Sequence, residues 1–271
     1  MNDGGQQEKN AEITDTGAMQ TIEPKTFLKY CGLLLSHISA SCKLFIKILE
    51  KKKCPQRNAF LPIIPNDIKE NECPDQYVGT INEIAGSSFE RTEINRDLQK
   101  EYCIILVLES PHIKEYMDEH NCSPAMGTTG QLIQKGIQHV TNKEQFADYG
   151  LILMNAIPFQ CSLGVKTSLF RTNVFKNLWD NGGRQYFVER LKKIVRPGDI
   201  ICNCCTIGVK NSERKQGVSA LSDLVWDALT EACKENKRIR MTHPSSWRIG
   251  KNAIYSSFCD FVKKHSSKAK K

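Results

Sequence analysis

Tyr102-Cys103-Ile104-Ile105-Leu106-Val107-Leu108, followed at once by Glu109-Ser110-Pro111-His112, decides the fold. An apolar run of this length without polar alternation is a strand hidden on both faces, as in parallel sheets covered by helices. Downstream, similar short runs recur at residues 150–154, 199–203 and 238–241. Helical periodicity fills the intervals, over residues 130–140, 174–179, 185–195 and 219–236, with a closing helix at 249–264. Strands alternating with helices predict an α/β three-layer sandwich around a central, mostly parallel four-stranded sheet. The core domain is residues 101–264.

Upstream, Phe27, Tyr30, Leu34, Ile38, Leu44, Phe45 and Ile48 keep helical spacing over residues 26–51. Pro55, Pro62, Pro65 and Pro74 make residues 55–89 irregular. Residues 25–100 are therefore expected as a helical and irregular extension packed on the core. Residues 1–24 are polar and carry a net charge of −4. They are expected as a disordered acidic tail, and 265–271 as a basic one.

The whole chain of 271 residues has 38 Lys+Arg against 30 Asp+Glu, a formal charge of +8. Without the tail the surplus is +12, which favours acidic partners, nucleic acid first. No uncharged apolar run approaches the roughly 18–20 residues of a membrane span. The first residues lack the basic-then-apolar order of a secretory signal. A monomer of the bacterial cytosol, acting at the nucleoid, is the expectation. Its 12 cysteines are then reduced.

Sites in open α/β sheets lie beyond the carboxyl ends of the strands. Glu109, Asn155 and His243 each follow a predicted strand closely, and each precedes a proline within one to three residues. A carboxylate, an amide and an imidazole, aimed by stiffened loops, form a candidate catalytic set. Taken singly, each has a structural reading: Glu109 as a loop cap, Asn155 as a bridge between loop backbones, His243 as a satisfied loop histidine. Gly127 and Gly130 either permit a tight turn or place backbone N–H groups for a phosphate.

The motifs in order resemble the uracil-DNA glycosylase superfamily. Leu108-Glu109-Ser110-Pro111-His112 is similar to the first motif of its thermophilic-type branch, Gly-Glu-Ala-Pro-Gly. Pro124-Ala125-Met126-Gly127-Thr128-Thr129-Gly130-Gln131-Leu132-Ile133 resembles the branch's Pro-Phe-x-Gly-x-x-Gly-Gln-Leu-Leu. Leu151–Asn155 ends as the family's middle strand does, and His243-Pro244-Ser245-Ser246-Trp247 resembles the last motif, His-Pro-Ser-Pro-Leu. The resemblance covers residues 102–262 and implies a monofunctional DNA glycosylase acting on a base flipped from double-stranded DNA. It makes Glu109 the water-orienting carboxylate, Asn155 the reader of the base edge and His243 the donor to the departing base. Trp247 is the nearest counterpart of the family's apolar wedge.

Three departures bear on the substrate. Ser110 replaces an Asp or Asn of the well-known uracil enzymes. His112 stands where a Tyr excludes thymine or a Gly is found. Ala125 replaces the Phe on which uracil stacks, forfeiting roughly 1–3 kcal/mol and opening space beside the base. A pyrimidine larger than uracil is the expected substrate, with glucosylated 5-hydroxymethylcytosine of phage DNA the sharpest candidate and anti-phage defence the setting. Ordinary uracil excision and a non-catalytic binding module are the alternatives. Gly127, Arg171 and Asn173 are expected to contact the substrate, the last two through sugar hydroxyls. Lys210, Ser245, Ser246, Trp247 and Arg248 are expected to contact DNA.

No cofactor or metal is expected. Cys202 and Cys205 form the chain's only Cys-x-x-Cys, yet strand alternation sends them to opposite faces. The thermophilic-type branch carries an iron–sulfur cluster with two ligands in an early Cys-x-x-Cys. Cys31, Cys42, Cys54 and Cys73 lack that spacing.

Overall fold

The computed structural model describes residues 72–99, 101–112, 115, 122–138, 146–161, 171–208 and 219–247. The tails and the helices expected at 26–51 and 249–264 lie outside the described residues, as do Lys210 and Arg248.

Six strands form one mixed sheet in the order β2-β1-β4-β3-β5-β6. Strand β1 is Gln76–Thr80, β2 Thr92–Glu93, β3 Cys103–Leu108, β4 Gly150–Asn155, β5 Ile200–Asn203 and β6 Lys237–Arg240. The pairs β3–β4, β3–β5 and β5–β6 are parallel. At the other side β1 runs antiparallel to both β4 and β2. The four strands expected are thus present and mutually parallel, but the sheet is wider by two. Both extra strands come from the part of the chain expected as a helical and irregular extension, residues 25–100, β1 within its irregular stretch 55–89 and β2 just after it. Gln76–Thr80 is short and its glycine, Gly79, takes φ +105°, so its pattern resembles a loop.

Every residue of β3 and β4 is buried, which explains their unbroken apolar runs. Parallel register pairs Cys103 with Gly150 and Leu108 with Asn155. Helices α1 (Ile81–Gly86) and α2 (Thr128–Gln138) cover one face, packing Ile84, Ile133 and Ile137 on Ile104, Leu106 and Leu153. Helices α3 (Arg171–Leu178), α4 (Arg184–Ile194) and α5 (Leu221–Ala232) cover the other, packing Phe175, Phe187 and Val225 on Ile105, Val107 and Ile201. Cys202 and Cys204 join the first core and Cys205 the second, the alternation expected of an extended chain.

At the amino ends of β3 and β5 a buried polar knot holds the sheet. Both oxygens of Asp199 lie 3.0 Å from Arg96 Nη2. The same carboxylate accepts the backbone N–H groups of Cys103 and Arg196 at 2.7 Å each.

Candidate active site

In chain order the four parallel strands take positions two, one, three and four across the sheet. The connections therefore leave β3 and β5 in opposite directions, and a crevice opens beyond their carboxyl ends. A cavity of about 390 Å³ occupies that place, the size of a small-molecule pocket. It is lined by the loop after β3 (Glu109–His112 and Glu115), the start of α2 (Gly127–Thr129), Arg171 of α3, Thr206 after β5, and His243 and Ser245 after β6.

Glu109 follows Leu108, so the period of two turns it away from α2 and toward α3. Its side chain is 4% exposed. Oε1 lies 3.0 Å from Arg171 Nε, and Oε2 accepts the Thr206 hydroxyl. Burial pushes the carboxyl above its ordinary range, while Arg171 and Thr206 counteract that rise. Arg171 was expected to contact substrate sugar; here its guanidinium partners Glu109.

His243 caps the short turn Pro244–Ser246. Its Nδ1 accepts the Ser245 backbone N–H at 3.2 Å and lies 2.8 Å from Ser245 Oγ. A backbone N–H can only donate, so Nδ1 carries no proton and Nε2–H is the ring's donor. Burial, then the charge of Arg171, pushes the imidazole down to about 4. The ring is neutral at physiological pH.

Glu115 fixes the opposite wall. Its carboxylate accepts backbone N–H groups of His112 and Ala125, with the Cys73 thiol 3.8 Å away, and burial pushes it up to about 7. This one side chain ties the loop after β3 to the loop before α2. That second loop is strained: Ala125 has φ +56°, a left-handed conformation costing roughly 1–2 kcal/mol outside glycine. Arg91 holds it in place, donating to the carbonyls of Pro124 and, at 3.1 Å, of Ala125. Gly130 makes the turn possible, because a Cβ there would lie 2.0 Å from the Ala125 oxygen.

Of the residues singled out in the sequence, Glu109, Ser110, His112, Gly127, Arg171, His243 and Ser245 meet at the cavity. Asn155 does not line it. Register with Leu108 puts Asn155 on the sheet face opposite Glu109, 1% exposed, its Nδ2 3.5 Å from Cys73 Sγ and its Oδ1 without a hydrogen-bond partner among the described residues. The Cys73 thiol stands between this amide and Glu115. Ala125 is also absent from the lining; its methyl is 1% exposed in the α2-side core. The space expected beside the base at that residue is thus filled by the turn itself. Ser246 is exposed and caps its own turn through the His243 carbonyl. Trp247 is 4% exposed, its Nε1 bonded to the Thr242 carbonyl at 3.0 Å and its ring against Gly136. An indole so packed belongs to the core and does not project as a wedge. The backbone of Asn173 lies in α3.

Glu115 and Arg91 escaped the sequence reading; Thr206 falls in the segment 204–208 that it places at the sheet's carboxyl edge but is given no role, and Cys73 is weighed only as a cluster ligand. Thr206 sits three residues past a predicted strand, a position signal the neighbouring cysteines obscured. Glu115 and Arg91 act on loop backbones and Cys73 touches Glu115 and Asn155 through its thiol; none of the three leaves a spacing to find. No protein-family model matches the chain, and no curated protein matches it.

Proposed function

We propose that the chain is a monofunctional DNA glycosylase of the uracil-DNA glycosylase type, hydrolysing the N-glycosidic bond of a modified pyrimidine flipped out of double-stranded DNA. The observation that carries this reading is the pairing of a buried carboxylate, Glu109, with a neutral Nε2–H donor, His243, on one cavity at the sheet's crevice. Cleavage of such a bond places positive charge on the sugar and negative charge on the base. Glu109, whose rise from burial is opposed by Arg171 and Thr206, orients a water and, as the carboxylate, offsets the sugar's charge. The water oxygen bonds to the anomeric carbon as the carbon–nitrogen bond breaks; its proton passes to the Glu109 carboxylate, and the electron pair leaves with the base. His243 Nε2–H stabilises that anion without first losing a proton of its own.

The lining bears on the substrate. Among the described residues it contains no Phe, Tyr, Trp or Lys; its rings are the imidazoles of His112 and His243, and hydroxyls come from Ser110, Thr128, Thr129, Thr206 and Ser245. Such a wall recognises by hydrogen bonds more than by stacking, which favours a base with a hydroxyl-rich substituent over plain uracil. Glucosylated 5-hydroxymethylcytosine of phage DNA is the substrate we propose, with anti-phage defence as the role. A carboxylate in this wall, Glu109, favours water as the attacking group.

The test is an abasic-site assay on duplexes carrying uracil, 5-hydroxymethylcytosine or its glucoside. Excision of the glucoside, lost in Glu109→Gln with DNA binding retained, is the expected result. Excision of uracil alone would remove the substrate assignment. Full activity in Glu109→Gln would remove the site.

A further inference from the structure

Cys73 stands just before β1, and Cys122 in the loop that leads to α2. Among the described residues eight cysteines are free; seven are buried and Cys122 alone is half-buried. Its side chain hydrogen-bonds the Cys73 thiol. The two segments are held together beside that contact. Gln76 Nε2 donates to Ser123 Oγ at 3.2 Å, the Ser123 N–H donates to the Glu115 carbonyl at 3.3 Å, and the Cys73 N–H donates to the Pro158 carbonyl at 2.9 Å. One thiol within reach of solvent thus touches one sealed in the core, on backbone fixed on both sides. Sulfurs in hydrogen-bond contact have only the last approach, to the roughly 2 Å of an S–S bond, left to make.

Cys202, Cys204 and Cys205 are also close in sequence, but all three are buried, and oxidation follows exposure. A second neighbour sets Cys73 apart. Its Sγ donates to Glu115 Oε2 at 3.8 Å. Burial above all pushes the Cys73 thiol well above its ordinary range, so at neutral pH it keeps its proton and needs a base to lose it. The Glu115 carboxyl, pushed up to about 7, is about half ionised at that pH and is matched to the task. Half-buried thiol, buried thiol and buried carboxylate therefore stand in one line of contacts.

We infer that Cys122 and Cys73 are a redox-sensitive pair that closes to a disulfide when hydrogen peroxide reaches Cys122, with Glu115 accepting the Cys73 proton. In the first step a sulfur–oxygen bond forms at Cys122 Sγ as the peroxide oxygen–oxygen bond breaks, giving a sulfenic acid and one water. In the second, Cys73 Sγ passes its proton to Glu115 and attacks Cys122 Sγ. The S–S bond forms, the sulfur–oxygen bond breaks, and the departing hydroxide takes the proton as a second water. Two thiols are oxidised and one peroxide is reduced; a dithiol reductant reverses the change. Glu115 also lines the cavity, so the cross-link removes a hydrogen-bond donor from a residue of its wall. The inference stands independently of the glycosylase reading.

The experiment treats the full chain with hydrogen peroxide, blocks the remaining thiols by alkylation and maps the peptides by mass spectrometry. In the wild type the Cys73 and Cys122 peptides should be joined, and dithiothreitol should separate them. The oxidised chain should melt several degrees higher than the reduced one, because the bridge constrains the unfolded state. In Cys73→Ser, oxidation should stop at a Cys122 sulfenic acid that dimedone traps. In Glu115→Gln, that trapping should proceed as in the wild type while closure slows roughly a hundredfold. A wild-type chain in which Cys122 advances to sulfinic acid with Cys73 still alkylated, or joins any other cysteine, overturns the pair. So does a chain in which neither thiol reacts. Equal rates of closure in the wild type and Glu115→Gln overturn the part given to the carboxylate.

Discussion

Arg171 acts on both Glu109 and His243, the two groups to which the proposed reaction assigns roles. Its charge opposes the rise of Glu109 and lowers His243. In Arg171→Ala, Glu109 would take up its proton at higher pH. The acid limb of the excision rate against pH should therefore move upward, and the pH–rate profile measures the shift. The variant should also lose stability, on the order of 3–5 kcal/mol for a buried charge left unpaired. Glu115 gives a linkage effect that does not need the reaction. Its carboxyl rises from 4.5 in the unfolded chain to about 7 in the fold. The folded state thus keeps a proton that the unfolded state releases, so the group stabilises the fold at acid pH. That contribution fades as pH rises from 4.5 through 7. Urea midpoints at pH 5 and pH 7 should differ less in Glu115→Gln than in the wild type.

Among the elements, the turn into α2 is where sequence and structure part most instructively. The glycines of its motif were legible as a tight turn, and Gly130 is required there by the 2.0 Å approach of the Ala125 carbonyl. Gly130→Ala should cost several kcal/mol, as overpacking against backbone does, read as a fall in the thermal midpoint. What the motif did not disclose was direction. Ala125 reads in sequence as a residue facing the base, yet its positive φ turns it into the core. Asn155 failed for a related reason: the last residue of a strand faces one layer or the other according to register, which appears only once β3 and β4 are paired. Glu109 and His243 were legible because loop residues after strand ends meet at the crevice whichever face they leave from.

For the molecule as a whole, the α/β class was written in β3 and β4, whose buried runs admit little else. The two-strand edge was not, because its partner surface on β4 is invisible until the sheet forms. β1 pairs with β4, and Arg96 reaches Asp199 across the sheet's end. A fragment beginning at residue 101 would lose both, along with the Arg91 clamp. It should be unfolded or aggregated by circular dichroism and size-exclusion chromatography, although the motifs themselves all lie within it.

The Asp199 knot and the cavity occupy opposite ends of the same strands. Endurance and, on the proposed function, turnover are thereby assigned to separate poles of one sheet. A lineage under pressure for longer-lived protein has a place to change that leaves the chemistry alone, and one pursuing new substrates has loops to vary over a foundation that stays put.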